Sequence, residues 1–420
     1  MSQPEVLPDA ASGPRLHDAN GTFRSLRGFN YRTWAIGALV SNVGTWMQRT
    51  AQDWLVLTEL TNRSGTAVGA LMALQFGPQA LLLPFTGYAA DRLDRRKLLF
   101  VTQASAGVLA LGLGLLTLFG VVRLWHVYVF GLLLGCVSAF DGPARQTFVS
   151  ELVSDEQLSN AVALNSTSFN VARLLGPAAA GVAISRFGTG WVFVLNALSF
   201  AAVLVSLARL RNSELHARER ATKRAGLTEG FRYVRQRPDL AAALGMLFLI
   251  GTFGLNFPIF ISTMAVSVFH KGAGQFGLLT SIMAVGSVAG ALLSARRAAP
   301  RVELLMAGAF AFGAGCALAA VMPTYGWFGF TLAVIGVSAQ TFTTTANGTV
   351  QLATDPHMRG RVMAIYMAIA LGGTPIGAPI VGFVADRFGP RWALGVGAFA
   401  GFAAALVGFR YLARRTLKGA

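Results

Sequence analysis

The sequence predicts an all-α polytopic membrane protein, with twelve transmembrane helices in two pseudo-symmetric bundles of six. Three observations predict it: an apolar composition, a succession of membrane-length apolar segments, and a repeat that relates the halves. Of the 420 residues, 54% are hydrophobic and 13% charged, whereas charged residues make up roughly 25% of a soluble domain. Much of the surface therefore has lipid as its solvent.

Residues 1–32 read as a cytoplasmic tail, with Glu5, Asp9, Asp18 and three prolines among them and no pattern of a secretory signal. A helix needs roughly twenty mostly apolar residues to cross the hydrocarbon core. Spans begin near Trp34, Thr66, Leu98, His126, Leu158 and Trp191, giving a first bundle over 33–210. The long polar interruption from Arg209 to Asp239 follows. Its central part, 211–238, is a cytoplasmic linker, read as a solvated connector although Leu215 to Val234 also suits a surface helix. Six further spans begin near Leu240, Gln275, Val302, Trp327, Val362 and Trp392, giving a second bundle over 239–412 and a cytoplasmic tail over 413–420.

An even number of spans puts both termini on one side. Of the 35 Lys and Arg residues, 26 fall on that side, six fall opposite, and three (Arg49, Arg145, Arg173) lie within spans. The positive-inside rule then places the termini in the cytoplasm. Topology and attraction to anionic head groups explain the net charge of +17, and no nucleic-acid partner is required. Cys136 and Cys316 sit in apolar runs, without the spacing of a metal site or a disulfide framework, and read as small buried residues. There is no histidine or cysteine cluster, phosphate-binding loop or nucleotide-hydrolysis motif, so neither an enzyme nor a primary pump is expected, and no metal or cofactor.

A shift of 201 residues lays Gly176, Gly181, Arg186, Phe187, Gly188 and Trp191 on Gly377, Gly382, Arg387, Phe388, Gly389 and Trp392. The same shift lays Arg95 and Arg96 on Arg296 and Arg297. The halves are expected to be parallel repeats, a plan that places a transported solute between them.

After the second span the chain reads Gly87-Tyr-Ala-Ala-Asp91-Arg92-Leu-Asp94-Arg95-Arg96-Lys97. A small residue permits close helix approach, an acid suits the positive end of a neighbouring helix, and the arginines hold the loop among head groups. This run resembles the G-x-x-x-D-R-x-G-R-R-K signature of the major facilitator superfamily, with Asp94 where the pattern has glycine. The segments NYRTWAIGALVSNVGTWMQRTAQDWLVLTEL, LSNAVALNSTSFNVARLLGPAAAG and FVLNALSF resemble the branch that includes enterobactin exporters and macrolide efflux proteins. The resemblance runs from Tyr31 to Leu412. It implies two bundles that rock about a central site, usually driven by the proton gradient. It further implies that Asp91 caps the helix beginning near Arg361, and that Arg95 pairs with Asp141 in a latch completed by Arg92, Arg96 and Arg145. The alternative is that Asp91 and Arg95 only anchor a loop at the interface. Gly176-Pro177-Ala-Ala-Ala-Gly181 partly resembles the glycine-proline motif of superfamily antiporters; a bend at a bundle interface is expected there, and it favours export.

A charge within hydrocarbon costs a few kcal/mol, about 2.5–3.5 on insertion scales, so each one has to be paired, wetted or functional. Arg49 and Asp53 stand one helical turn apart, as do Asp141 and Arg145, and Arg173 follows Asn170 by three. The expected layers are an outer cluster of Arg49, Asp53 and Arg173 at similar depth, and an inner gate of Arg95, Asp141 and Arg145. Asp53 is either a proton-coupling acid or half of a static pair with Arg49. The second half has no acid well inside a span; Asn256, Phe257, Gln340 and Asn347 are its candidates for a cargo cavity. The expected protein is a monomeric, proton-driven exporter of a small amphipathic molecule in a bacterial cytoplasmic membrane, with lipids around it. A lipid or lysolipid translocator, and a non-transporting sensor or scaffold of the same fold, are the alternatives.

Overall fold

The computed structural model describes residues 21–82, 85–86, 93–216, 227–296 and 301–419. Most of the N-terminal tail lies outside them. Helices in the first half are α1 (Phe29–Trp54), α2 (Gly65–Leu81), α3 (Arg95–Leu118), α4 (Leu124–Phe148), α5 (Asp155–Phe187) and α6 (Thr189–Arg209). A short α7 (Leu227–Gln236) lies in the linker. The second half comprises α8 (Pro238–Leu249), α9 (Phe257–Thr263), α10 (Ala273–Ala295), α11 (Val302–Val321), α12 (Tyr325–Ala353), α13 (Arg359–Phe388) and α14 (Pro390–Gly419). No strand occurs among the described residues. With α8 and α9 counted as one span, every predicted span start falls within five residues of a helix start.

Local chemistry sets several of these boundaries. Asp94 accepts a hydrogen bond from the Lys97 amide at 3.0 Å and caps α3, so the residue that departs from the family glycine has a helix-starting role. Ser64 caps α2 in the same way. The helices α5 and α13 both end at a glycine with positive φ, Gly188 at +84° and Gly389 at +102°. These two positions are related by the 201-residue repeat, and only glycine adopts that backbone region without strain. Between α8 and α9 the chain passes through a π turn, Ile250–Gly254, and restarts at Asn256 and Phe257 with Pro258 in the first turn.

Eight helical segments among the described residues are long and apolar enough to cross a membrane. The remaining four of the twelve are α1, α2, α5 and α12. The described part of α2 is 17 residues long, whereas α1, α5 and α12 have ample length and fall short in apolarity. Three of these four, α1, α5 and α12, carry Arg49, Asp53, Arg173, Gln340 and Asn347 among the candidate residues.

The two halves meet unevenly. One apolar core runs through the second half and takes in Ala51, Leu55, Val68, Leu113, Ala180 and Val192 from the end of the first half remote from the termini. Tyr31, Trp34, Leu99, Phe148, Ala161 and Leu207, on the terminal side of the first half, form a separate cluster with no residue from the second. The halves are thus packed together on the far side and parted on the terminal side. Glycines make the far-side approach possible: a Cβ on Gly181 would lie 2.7 Å from the Ala273 carbonyl oxygen of α10. In the linker, α7 is docked rather than solvated throughout. Gly230 packs on Arg361 and Ile365, Glu229 pairs with Arg361 at 3.0 Å, and the Tyr233 hydroxyl donates to Asp355 at 2.9 Å.

Candidate functional site

Polar residues at membrane depth that keep partial exposure have to face water, since lipid offers them no hydrogen bonds. Two such stripes border the gap between the halves. On α5 the stripe is Ser166, Asn170 and Arg173: the Asn170 amide donates to the Ser166 carbonyl at 2.9 Å, and Arg173 donates to Asn170 Oδ1 at 3.2 Å. On α12 it is Gln340, Thr344, Asn347 and Gln351, spaced four, three and four apart, with Gln340 donating to Thr344 at 3.1 Å. The Tyr366 hydroxyl of α13 lies beside Asn347 and donates to the Thr343 carbonyl of α12 at 3.4 Å. The other second-half candidates lie deeper. Asn256 is fully buried; its amide donates to the Thr252 carbonyl at 2.8 Å, and its Oδ1 has no partner. Phe257 packs edge-on against Phe260 and Phe312.

In the first half, Asp141 is the hub of a network joining three helices. Its Oδ1 accepts from Thr102 at 2.8 Å and Gln103 at 2.6 Å on α3, and its Oδ2 accepts from Arg145 Nε at 3.2 Å one turn further along α4. Arg145 continues to Asn42 Oδ1 on α1 at 3.2 Å and lies over the Trp34 ring. The spacing of Asp141 and Arg145 announced their pair. Thr102, Gln103 and Asn42 were missed, because uncharged polar residues in a span carry little signal by themselves.

The same spacing on α1 does not make an ion pair. The Arg49 guanidinium lies between two aromatic faces, 5.3 Å from Trp46 and 5.5 Å from Phe76. Asp53 is 8% exposed and has no ion pair or hydrogen bond among the described residues. Its neighbours are occupied with each other: Gln52 accepts from Gln75 at 3.0 Å, and Gln48 accepts from Asn196 at 2.6 Å. Arg173 does not join them at the same depth. A Cβ on Gly176 would touch Trp46 at 2.5 Å and Val43 at 3.2 Å, a register that sets Arg173 level with Asn42. At 1.5 Å per residue this puts Arg49 about 10 Å nearer the far side. The expected single outer layer is therefore two layers, because α5 extends further than α1 beyond the terminal side.

Of the signature loop, Gly87, Asp91 and Arg92 lie outside the described residues. Arg95 forms its ion pair with Glu151, just after α4, at 2.6 Å, and not with Asp141, whose oxygens are held by α3 and Arg145. Arg96 donates to the Leu207 carbonyl at 2.5 Å and to Asn212, tying the start of α3 to the end of α6. The glycine-proline motif lies at two interfaces within an unbroken α5: Gly176 packs on α1, while Pro177 and Gly181 face Gly277 and Gly274 of α10.

The far-side seal contains a feature the sequence did not single out. Asp386, near the end of α13, accepts from the Gly65 amide at 2.5 Å, the Thr66 amide at 3.0 Å and the Ser64 hydroxyl at 2.8 Å, all at the start of α2. A carboxylate of one half thus closes the helix N-terminus of the other. On the α5–α10 contact the equivalent repeat position is Ser185, and the halves are joined there by Ser281 donating to the Leu174 carbonyl at 2.6 Å. A hollow of about 460 Å³, lined in part by Asn62, Arg63, Ser64 and Asp386, adjoins the seal. Among the described residues no three acids, histidines or cysteines are placed to hold a metal.

Two helical bundles sealed at one end and parted at the other, with polar stripes facing across the gap, define a membrane transporter of the major facilitator type. Residues 20–418 match the family described as transmembrane secretion effectors, and the chain belongs to that family. It is 25% identical over 351 residues to the staphyloferrin A transporter of Staphylococcus aureus, covering 83% of this chain and 87% of that protein. It is 24% identical over 372 residues to macrolide efflux protein A of Streptococcus pyogenes, covering 86% and 90%. A crystal structure of a bacterial homologue of the human lysosomal transporter Spinster, inward-facing and unoccupied, shares the fold at 15% identity with a TM-score of 0.74, covering 92% of this chain and 97% of that one. The chain is a multi-pass transporter of the bacterial cell membrane.

Proposed function

We propose that this transporter exports a small amphipathic molecule, siderophore-like or drug-like, by alternating access driven by the proton gradient. The termini and the open end of the gap then face the cytoplasm, in keeping with 26 of 35 basic residues on that side. The observation that carries the reading is Asp53. It is an acid 8% exposed, one turn beyond Arg49 and close to the far-side seal, and it has no fixed hydrogen-bond donor. An intramembrane acid held by no hydrogen bond among the described residues is free to bind and release a proton as the seal opens and closes. Arg49 adjusts its affinity; Arg173 holds the wetted wall; Phe257, Gln340 and Asn347 meet the cargo from the other half, whereas Asn256, fully buried, does not reach it in this state. Asp91 and Arg92, with Gly87, Arg95, Arg96 and the Asp141–Arg145 pair, stabilise the alternative state in which the cytoplasmic side is closed. Gly176, Pro177 and Gly181 form the pivot. Its ligands are the cargo and protons, and it works as a monomer in its lipid surround.

The test is Asp53→Asn in proteoliposomes. Gradient-driven accumulation of an exported compound is expected to fall at least tenfold while counterflow exchange without a gradient persists. Accumulation at the wild-type rate would remove the coupling role.

A further inference from the structure

The charge on the walls of the gap identifies the chemical class of the cargo, an inference that rests on the gap being the cargo site. Five charged side chains lie well within the spans: Arg49, Arg145 and Arg173 against Asp53 and Asp141, a balance of three minus two, or +1. The second half adds none well inside its spans. Accessibility makes the bias stronger than the sum. Asp141 is saturated by Thr102, Gln103 and Arg145, and Asp53 is buried. Both acids are therefore withdrawn from a ligand.

Arg145 is held by Asp141 and Asn42, but the other two cations are not withdrawn. Arg49 has two aromatic faces around its guanidinium and no hydrogen-bond acceptor among the described residues. Arg173 has one neutral acceptor, Asn170, and a buried Nε with no partner among the described residues. Partly buried guanidinium groups with open donors are costly to maintain unless a ligand completes them. Trp46, over which Arg49 lies, meets the ring of Phe169, one turn before Arg173, edge to face with centroids 5.8 Å apart. We propose that the cargo is an anionic amphiphile, carrying carboxylate-like oxygens at one or both ends of an aromatic or apolar body. Its oxygens bind Arg49 and Arg173, and its body lies along Trp46, Phe76 and Phe169. A basic drug would meet two arginines with open donors and no accessible acid, a repulsion that selects against it.

The experiment is equilibrium binding to the purified protein in phosphatidylcholine nanodiscs, with N-benzoyl-glutamate as the anionic probe and benzyltrimethylammonium as the cationic one. Binding in nanodiscs involves neither transport direction nor a proton gradient, so its outcome is separate from that of the coupling test. The anion is expected to bind, with affinity that falls as salt rises and drops at least tenfold in Arg49→Gln and in Arg173→Gln. Arg49→Lys and Arg173→Lys, which keep the charge, are expected to stay within a few-fold of wild type, so a loss common to all four variants would indicate damage to the fold and overturn the assignment. Failure of the anion to bind, tighter binding of the cation, or unchanged anion affinity in both glutamine variants would also overturn it.

Discussion

Asp141 and Asp53 begin alike in the sequence, each one turn from an arginine, and end differently in the structure. Around Asp141 the helices bring three donors to two oxygens, and Arg145 depends on that carboxylate for its charge partner. Removing one member of a buried pair costs about 3–5 kcal/mol, because the other charge is left uncompensated. Asp141→Ala is therefore expected to lower the unfolding temperature in detergent by several degrees, and Asp141→Ala with Arg145→Met to recover part of the loss. Additive losses in the double variant would show that the pair is not a unit. Around Asp53 no donor arrives, since aromatic rings hold Arg49 and the neighbouring glutamines bond to other helices. Spacing on one helix fixes which residues share a face; it does not say what the next helix offers them. That is why one pairing was legible in the sequence and the other was not.

At the scale of helices, the repeat was legible because its shared residues have backbone roles. Gly188 and Gly389 stop two long helices with the same left-handed turn, and a glycine needed for conformation keeps its place in both halves. Functional asymmetry is invisible to the same comparison. Asp386 stands opposite Ser185 in the repeat, and only its position at the start of α2 reveals it as a latch across the halves. In a background without Cys136 and Cys316, Asp386→Asn is expected to speed labelling of a cysteine placed at the buried Ser281 by a membrane-impermeant thiol reagent from the far side, by several-fold or more. Asp386→Glu should do so less. Labelling that stays at the wild-type rate in Asp386→Asn would show that the seal does not depend on this carboxylate. The signature loop offers the converse lesson. Its Arg95 was expected at Asp141 but meets Glu151, an acid just past the helix end that span-by-span reading passes over.

For the whole molecule, composition and span length were enough to predict a twelve-helix membrane protein, because the bilayer imposes one length and one solvent on every span. The state of the molecule was not legible. Which ends of the bundles touch depends on packing between segments hundreds of residues apart, and the structure resolves it as one apolar core spanning the halves at the far end and a separate cluster at the terminal end. The least apolar spans, α1, α5 and α12, border the gap that results. The most direct test of the account is uptake of a radiolabelled anionic amphiphile into inverted membrane vesicles that contain the protein. Accumulation is expected when a proton gradient, acid inside, is imposed, and it is expected to collapse when a protonophore is added. Accumulation indifferent to the protonophore, or uptake only into right-side-out vesicles, would contradict it.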